Sequence, residues 1–243
     1  MRYFIQLAYN GSPFFGWQIQ PNLTTVQGVI ENALHLLLRE EISVTGCGRT
    51  DTGVHAKQFF AHFETEQNID SQNLTDKLNN FLPKEIAIEQ IFSVANDMHA
   101  RFSAISRTYK YYISTSKDAF NFHFSFRIYQ KLNIEKMNQA ADLLLHTEDF
   151  TSFSKLHTQV NNNICHVSEA RWQNENAQLV FTITADRFLR NMVRAIVGTL
   201  LEVGKGKLTP LEFQQIINQK DRGKAGTSVP AHALFLENVR YHI

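Results

Sequence analysis

The sequence predicts an α+β fold of two ferredoxin-like βαββαβ halves. Strand and helix periodicities alternate along the chain, the same order of elements recurs twice at similar length, and 243 residues are enough for two small domains or one large one. The halves are expected to divide as 1–104 and 105–243. Their sheets are expected to join into one extended mixed or antiparallel sheet, flanked by helices and leaving a central cleft.

In the first half, residues 3–9 alternate with Ile5, Leu7 and Tyr9 on one face, the pattern of a strand. Thr24 and Gln27 have the spacing of a capping box. The helix they open runs to about Arg39, with Val26, Val29, Ile30, Ala33, Leu34 and Leu37 on one side. Strands are expected at 42–46 and 57–64, the second alternating through Phe59, Ala61 and Phe63. A helix near 71–81 carries Leu74, Leu78 and Phe81 and is stopped by Pro83, and a strand near 86–94 closes this half.

The second half repeats the order. A strand at 107–115 precedes a helix at 134–146 that buries Met137, Ala140, Ala141, Leu144 and Leu145. Strands near 164–172 and 177–184 are joined by the turn-forming Asn174-Glu175-Asn176. A long helix at 187–203 follows, then a short one opened by Thr209-Pro210-Leu211-Glu212 with proline at the first helical position, then a strand at 233–241. The least regular segment, 116–131 (SKDAFNFHFSFRIYQK), is rich in phenylalanine. Two readings stand level for it: a loop packing its rings onto the core, or a surface for a dimer or RNA contact.

Composition narrows the function classes. With 43% hydrophobic and 19% charged residues the chain is an ordinary globular one rather than a disordered one. Its net charge of +1 means that any nucleic-acid site must concentrate positive charge locally. Cys47 and Cys165 lie far apart without metal-ligand spacing, which predicts a reduced, cytoplasmic protein. The opening MRYFIQLAYNG reads as a strand and has no signal-peptide pattern. Nowhere does an apolar run reach the roughly 18 residues of a membrane span. There is no P-loop, no GxGxxG after a strand and no metal-ligand cluster, so neither cofactor nor metal is expected.

The chemistry concentrates in Gly46-Cys47-Gly48-Arg49-Thr50-Asp51-Thr52-Gly53-Val54-His55-Ala56. A lone carboxylate in a glycine-rich loop ordinarily caps its own turn, and a loop of this kind can equally present Asp51 to a ligand. The flanking residues favour the second reading, because the segment resembles GRTDAGVHA, the active-site motif of the TruA-type tRNA pseudouridine synthase family. The resemblance extends over nearly the whole chain. It takes in Ala8-Tyr9-Asn10-Gly11, Phe14-Phe15-Gly16-Trp17-Gln18-Ile19-Gln20, Thr25-Val26-Gln27-Gly28 and His99-Ala100-Arg101-Phe102-Ser103-Ala104. It continues through Arg107-Thr108-Tyr109-Lys110-Tyr111, Phe188-Leu189-Arg190-Asn191-Met192-Val193-Arg194, Val197-Gly198-Thr199-Leu200, Val229-Pro230-Ala231 and Leu234-Phe235-Leu236. Thr52, Asn10 and Ala233 stand where the family usually has Ala, Asp and Gly.

The resemblance implies the pseudouridine synthase fold, an isomerase acting on uridines of the tRNA anticodon stem-loop, no cofactor, and a homodimer with one tRNA contacting both subunits. It implies that Asp51 is the catalytic carboxylate, for which a nucleophilic role at the ribose is expected. Arg194 is its cationic partner and Tyr109 the ring that stacks on the target base; strand periodicity alone does not single Tyr109 out from Tyr111 and Tyr112. On a helix of about 100° per residue, Arg187, Arg190 and Arg194 share a side away from Leu189, Val193, Ile196 and Leu200. Such a stripe suits either solvent or an anionic ligand. Arg49 and Arg101 are expected to meet RNA, by displacing the target base or gripping phosphates, with surface ion pairs as the plainer alternative. Lys110 is expected to be solvated or to face RNA, and His55 to be structural. Two rival readings remain: a non-catalytic tRNA-binding or folding protein, and a hydrolase using Asp51 and His55 on a nucleoside or sugar.

Overall fold

The computed structural model describes residues 1–155 and 162–242. In chain order the elements are β1 (Arg2–Tyr9), α1 (Val26–Leu38), β2 (Thr45–Gly46), β3 (His55–Glu64), α2 (Ser71–Phe81), β4 (Ile86–Val94), β5 (Ser106–Ser114) and β6 (Phe126–Arg127). They continue with α3 (Ile134–Asp142), β7 (Val167–Glu175), β8 (Gln178–Ala185), α4 (Met192–Gly204), α5 (Pro210–Gln219) and β9 (Leu234–Arg240). The fold is α+β, as the alternating periodicities predict. The chain forms two compact units, one of Met1–Ile105 with Phe235–Ile243 and one of Ser106–Leu234.

In the first unit the strands lie in the order β4-β1-β3-β9, with β2 paired to β3. β1 runs antiparallel to both β3 and β4, so Ile5 faces Ala61 on one side and Ile91 on the other. Ile5, Leu7, Phe59 and Phe63 are fully buried together with Ile30 and Leu34 of α1 and Leu78 of α2. Each such side chain contributes about 1.5–3 kcal/mol through removal from water. The sequence reading gave the last strand to the second half. From Phe235 onward it belongs instead to the first unit, because β9 pairs in parallel with β3 through His55↔Phe235 and Ala56↔Leu236. Tyr241 donates its hydroxyl to Ala100 O, and Ile105 N donates to Arg240 O at 2.8 Å.

Two local expectations are corrected here. The cap of α1 is Thr25, whose side chain accepts from Gly28 N, and not Thr24. No capping box forms, because the Gln27 carboxamide is committed elsewhere: it accepts from Ile19 N and donates to Glu31 and to Val44 O. The strand expected at 42–46 shrinks to Thr45–Gly46 for the same reason. Ile42 and Val44 are buried in alternation, but Val44 N donates to Glu31 Oε1 at 2.8 Å, so side chains of α1 satisfy the backbone that a neighbouring strand would otherwise pair.

In the second unit β5, β8 and β7 form an antiparallel sheet, with β6 parallel to β5 through Ile113↔Phe126. The β7–β8 hairpin turns on Asn176 and Ala177, both at positive φ, with Glu175 opposite Gln178; the turn lies slightly later than expected. α3 stops at Asp142 and the rest of the expected helix, Leu143–His146, is a 3₁₀ turn. α5 opens on a full capping box between Thr209 and Glu212 with Pro210 at the first position. In the segment 116–131, Ile128 is buried, while Phe120, Phe122 and Tyr129 are exposed. No helix among the described residues is long and apolar enough to cross a membrane.

The largest correction concerns α4. Its first residue is Met192 rather than 187, because Asn191 adopts a left-handed backbone conformation with φ 65°. Arg187 and Arg190 therefore precede the helix, and the expected three-arginine helical stripe does not exist.

Candidate active site

Asp51 sits in the loop Cys47–Val54, between the short β2 and β3. This loop is held from several directions. Cys47 N donates to Phe60 O at 2.7 Å, Trp17 N donates to Thr50 O at 3.2 Å, and Val54 N donates to Asp51 O at 3.1 Å. The buried hydroxyls of Tyr9 and Thr50 meet at 2.9 Å. Two glycines from the preceding segment allow the backbone to come this close. A Cβ on Gly11 would lie 2.0 Å from Val54 O, and one on Gly16, which has φ +84°, would lie 2.5 Å from Thr50 O. Trp17 stacks on Phe59 at 4.1 Å and rests against Gly46, where a Cβ would meet its ring at 2.6 Å. The main chain on both sides of the carboxylate is thus fixed to the sheet, while Asp51 itself is only partly buried.

Arg49 shares this loop and is exposed. His55 is buried, its Nδ1 accepts from Gly11 N at 3.0 Å, and its ring stacks on Phe235 at 4.5 Å. That imidazole ties the start of β3, where the loop ends, to Gly11 and Phe235.

Arg101 lies on a separate turn of the first unit, His99–Ser103. Two imidazoles hold this turn as hydrogen-bond acceptors: His62 Nδ1 takes Ala100 N at 3.1 Å, and His99 Nδ1 takes Arg101 N at 3.0 Å and Phe102 N at 3.3 Å. Both must be unprotonated at Nδ1 to do so. Burial, then the nearby His99 and Arg2, push His62 down to about 4 against a weaker opposing pull from Glu64. Burial, Arg2 and Arg101 lower His99 in the same direction. An unfolded chain binds protons at these imidazoles more readily than the folded one, so the stability they contribute is complete above about pH 6.5 and falls away with acidification, for His62 as pH approaches 4. For His62 the loss is expected to reach about 2 kcal/mol after allowance for solvent screening. Urea unfolding at pH 7.5 and pH 4.5 measures it. His62→Asn, which keeps an acceptor near the Nδ1 position without a titrating ring, should reduce the difference.

In the second unit Tyr109 lies on β5 opposite Ile183 of β8 and is half-buried, with Phe188 edge-on to its ring at 5.0 Å. Arg194 occupies the first turn of α4. Its Nε donates to Val229 O at 2.8 Å, and Val229 N returns a bond to Arg194 O at 3.2 Å. Tyr111, fully buried two residues beyond Tyr109, donates to Pro230 O at 3.0 Å. Burial pushes its phenol pKa well up, and the Arg194 charge opposes that rise. The segment Gly226–Pro230 is drawn along α4: Gly226 N donates to Thr199 Oγ1 at 3.0 Å, and a Cβ on Gly198 would lie 1.9 Å from Thr227 O. Arg222 braces the segment through Gly226 O and Ser228 Oγ, and Asn191 also reaches Ser228 Oγ. Arg194 is thereby fixed by its neighbours on the helix.

Of the residues singled out from the sequence, Asp51 and Arg49 share one loop and Arg101 a second loop of the same unit. Tyr109 and Arg194 belong to the other unit, where the segment Phe188–Arg194 touches both the Tyr109 ring and the Val229 backbone. Lys110 is not a solvated side chain: its Nζ lies 3.0 and 2.9 Å from the two oxygens of Glu175 and holds that carboxyl below the usual range. Sequence reasoning gave no role to Tyr9, Gly11 or Gly16, although all three lie in quoted motifs. The signal was their position just before a tryptophan and a capped helix. Both cysteines are buried and form no disulfide, and burial pushes the Cys165 thiol up to about 12, which removes it as a nucleophile.

The sequence matches the model of a family described as tRNA pseudouridine synthase over residues 6–103 and 140–242. Relatives named tRNA pseudouridine synthase A include one from Bacteroides thetaiotaomicron, 55% identical across 99% of this chain and 90% of the relative. Another, from Parabacteroides distasonis, is 57% identical across 99% and 96%. One from Bacillus subtilis is 40% identical across 99% of both. With matches of this extent, the chain belongs to the tRNA pseudouridine synthase family, a family of isomerases.

Proposed function

We propose that the protein isomerises uridine to pseudouridine in the anticodon stem-loop of tRNA, with Asp51 as the nucleophile. The reaction breaks the bond from uracil N1 to ribose C1′ and joins C1′ to C5. C5 gives up its hydrogen and N1 gains one, so nothing is oxidised and no cofactor is required. In this reading the Asp51 carboxylate adds to C1′ as the base detaches, leaving a transient sugar ester that C5 then displaces. The target must first leave the base stack. Tyr109 stacks on the extruded uracil, Arg194 serves as the catalytic cation, and Arg49 and Arg101 contact RNA. A-form grooves hide base edges, so tRNA is recognised through shape, phosphates and 2′-hydroxyls.

The observation that carries the reading is the Asp51 loop, a carboxylate on a backbone fixed by Trp17, Tyr9, Gly11 and Gly16 in a chain of this family. The enzyme is proposed to act in the cytoplasm as a homodimer, with one tRNA touching both subunits. The exposed rings of Phe120, Phe122 and Tyr129 are apolar surface of the kind that interfaces bury. Incubating the wild-type protein with an unmodified tRNA transcript and mapping pseudouridine chemically at nucleotide resolution tests the proposal. Product confined to the anticodon stem-loop is expected; none, or product elsewhere, would refute it.

A further inference from the structure

The turn His99–Ser103 has a feature that the proposed chemistry leaves unused. Phe102 at its apex is 75% exposed, although the turn beneath it is closely held. His99 N donates to Ser103 Oγ and Ser103 N to His99 O, each at 2.9 Å. The amides of Ala100, Arg101 and Phe102 all end on imidazole nitrogens, and Arg2 Nη1 anchors Met98 O at 2.7 Å. Ala100 is fully buried and its carbonyl takes the Tyr241 hydroxyl. Three rings lead outward from the sheet: His62 meets His99 at 4.7 Å, and His99 meets Phe102 at 4.4 Å. The exposed Arg101 guanidinium lies 5.5 Å from the centre of the Phe102 ring.

We propose that Phe102 and Arg101 form a docking platform for an unpaired nucleotide of the RNA substrate, its base stacking on the Phe102 ring and its phosphate meeting Arg101. The inference rests on the tRNA reading above and adds a contact site to it. Stacking needs a flat ring held still; the hydrogen-bonded turn fixes the backbone beneath Phe102, and the His99 ring flanks its phenyl group. Unpaired bases splayed onto aromatic rings, with arginine close by, are the usual means of gripping single-stranded RNA. The turn carries a cation and no carboxylate, which suits an anionic polymer. A protein partner fits less well, because the ring is flanked in sequence by Arg101 and Ser103. One phenyl ring, of about 200 Å² at most, falls far short of the roughly 1,000 Å² of a specific protein interface.

Affinity for an unmodified tRNA transcript, measured in an Asp51→Asn background so that no turnover intervenes, tests the platform. Wild-type protein is first shown to form pseudouridine in the same transcript; failure at that stage removes the enzymatic reading and the platform with it. Phe102→Ala and Phe102→Leu are expected to weaken binding by about five- to hundred-fold, the range of one lost base stack. Phe102→Tyr and Phe102→Trp should restore it, since they keep a π face that leucine lacks. Arg101→Gln should reduce the salt dependence of binding by about one phosphate contact. The platform is overturned if active wild-type protein and Phe102→Leu bind tRNA equally. It is also overturned if loss of binding accompanies a changed mass in sedimentation, which would make the ring a protein contact.

Discussion

Asp51→Asn is expected to lower single-turnover pseudouridine formation by roughly four orders of magnitude or more, the scale seen when a catalytic nucleophile is removed. Affinity for tRNA should stay within a few-fold. The carboxamide nearly preserves the shape of the side chain but loses its charge and nucleophilicity. Bonds that position the loop run through Thr50 O, Thr50 Oγ1 and Asp51 O, and asparagine leaves all of these groups in place, so the backbone should persist. Release of hydrogen from uracil C5 of labelled tRNA reports the chemistry, and filter binding reports affinity. An Asn variant within ten-fold of wild type would remove Asp51 from the mechanism.

Gly11→Ala is expected to be the most damaging single methyl group in the first unit. Its Cβ would fall 2.0 Å from Val54 O and 2.6 Å from the carbon of that carbonyl, both backbone atoms of the Asp51 loop. Neither β1 nor β3 can withdraw easily, because Ile5–Leu7 and Phe59–Ala61 are paired in register just beyond. Overpacking of this kind costs about 3 kcal/mol or more. Gly48→Ala is the control: nothing lies within 4 Å of its Cβ, and the change should stay within about 1 kcal/mol. Urea unfolding midpoints separate the two, and equal stabilities would show that the loop does not rest on Gly11.

What could be read from the sequence depended on whether the deciding contact was local. α2 and β4 have the bounds expected, Ser71–Phe81 and Ile86–Val94, because Pro83 punctuates the chain between them and the apolar spacing on each side is unambiguous. α4 was placed five residues too early because Leu189 is buried in phase with Val193 and Ile196, so the apolar period runs through a turn that is not helical. Asn191, one of the few residues that tolerates a left-handed backbone, was the available sign. β2 was overestimated because burial alternates through Ile42 and Val44 while the backbone groups of Val44 are met by side chains of α1, which no periodicity reports. For the candidate site, the motif string singled out Asp51 and Arg194. The contacts of Gly11 with Val54, and of Gly198 with Thr227, join distant stretches of chain and required coordinates.

The parallel strand β9 makes folding of the first unit depend on the order of synthesis. Lys57 meets Glu237 at 2.9 Å, Gln58 takes Val239 N at 3.0 Å, and His55, at the start of β3 where the Asp51 loop ends, stacks on Phe235. A ribosome-bound chain that has released residues 1–105 lacks all three contacts until residues 106–234 have also been translated. The nascent first unit must therefore wait with the His55–Ala56 end of β3 unpaired on the side that β9 will occupy, a condition that invites chaperone capture or strand exchange between neighbouring chains.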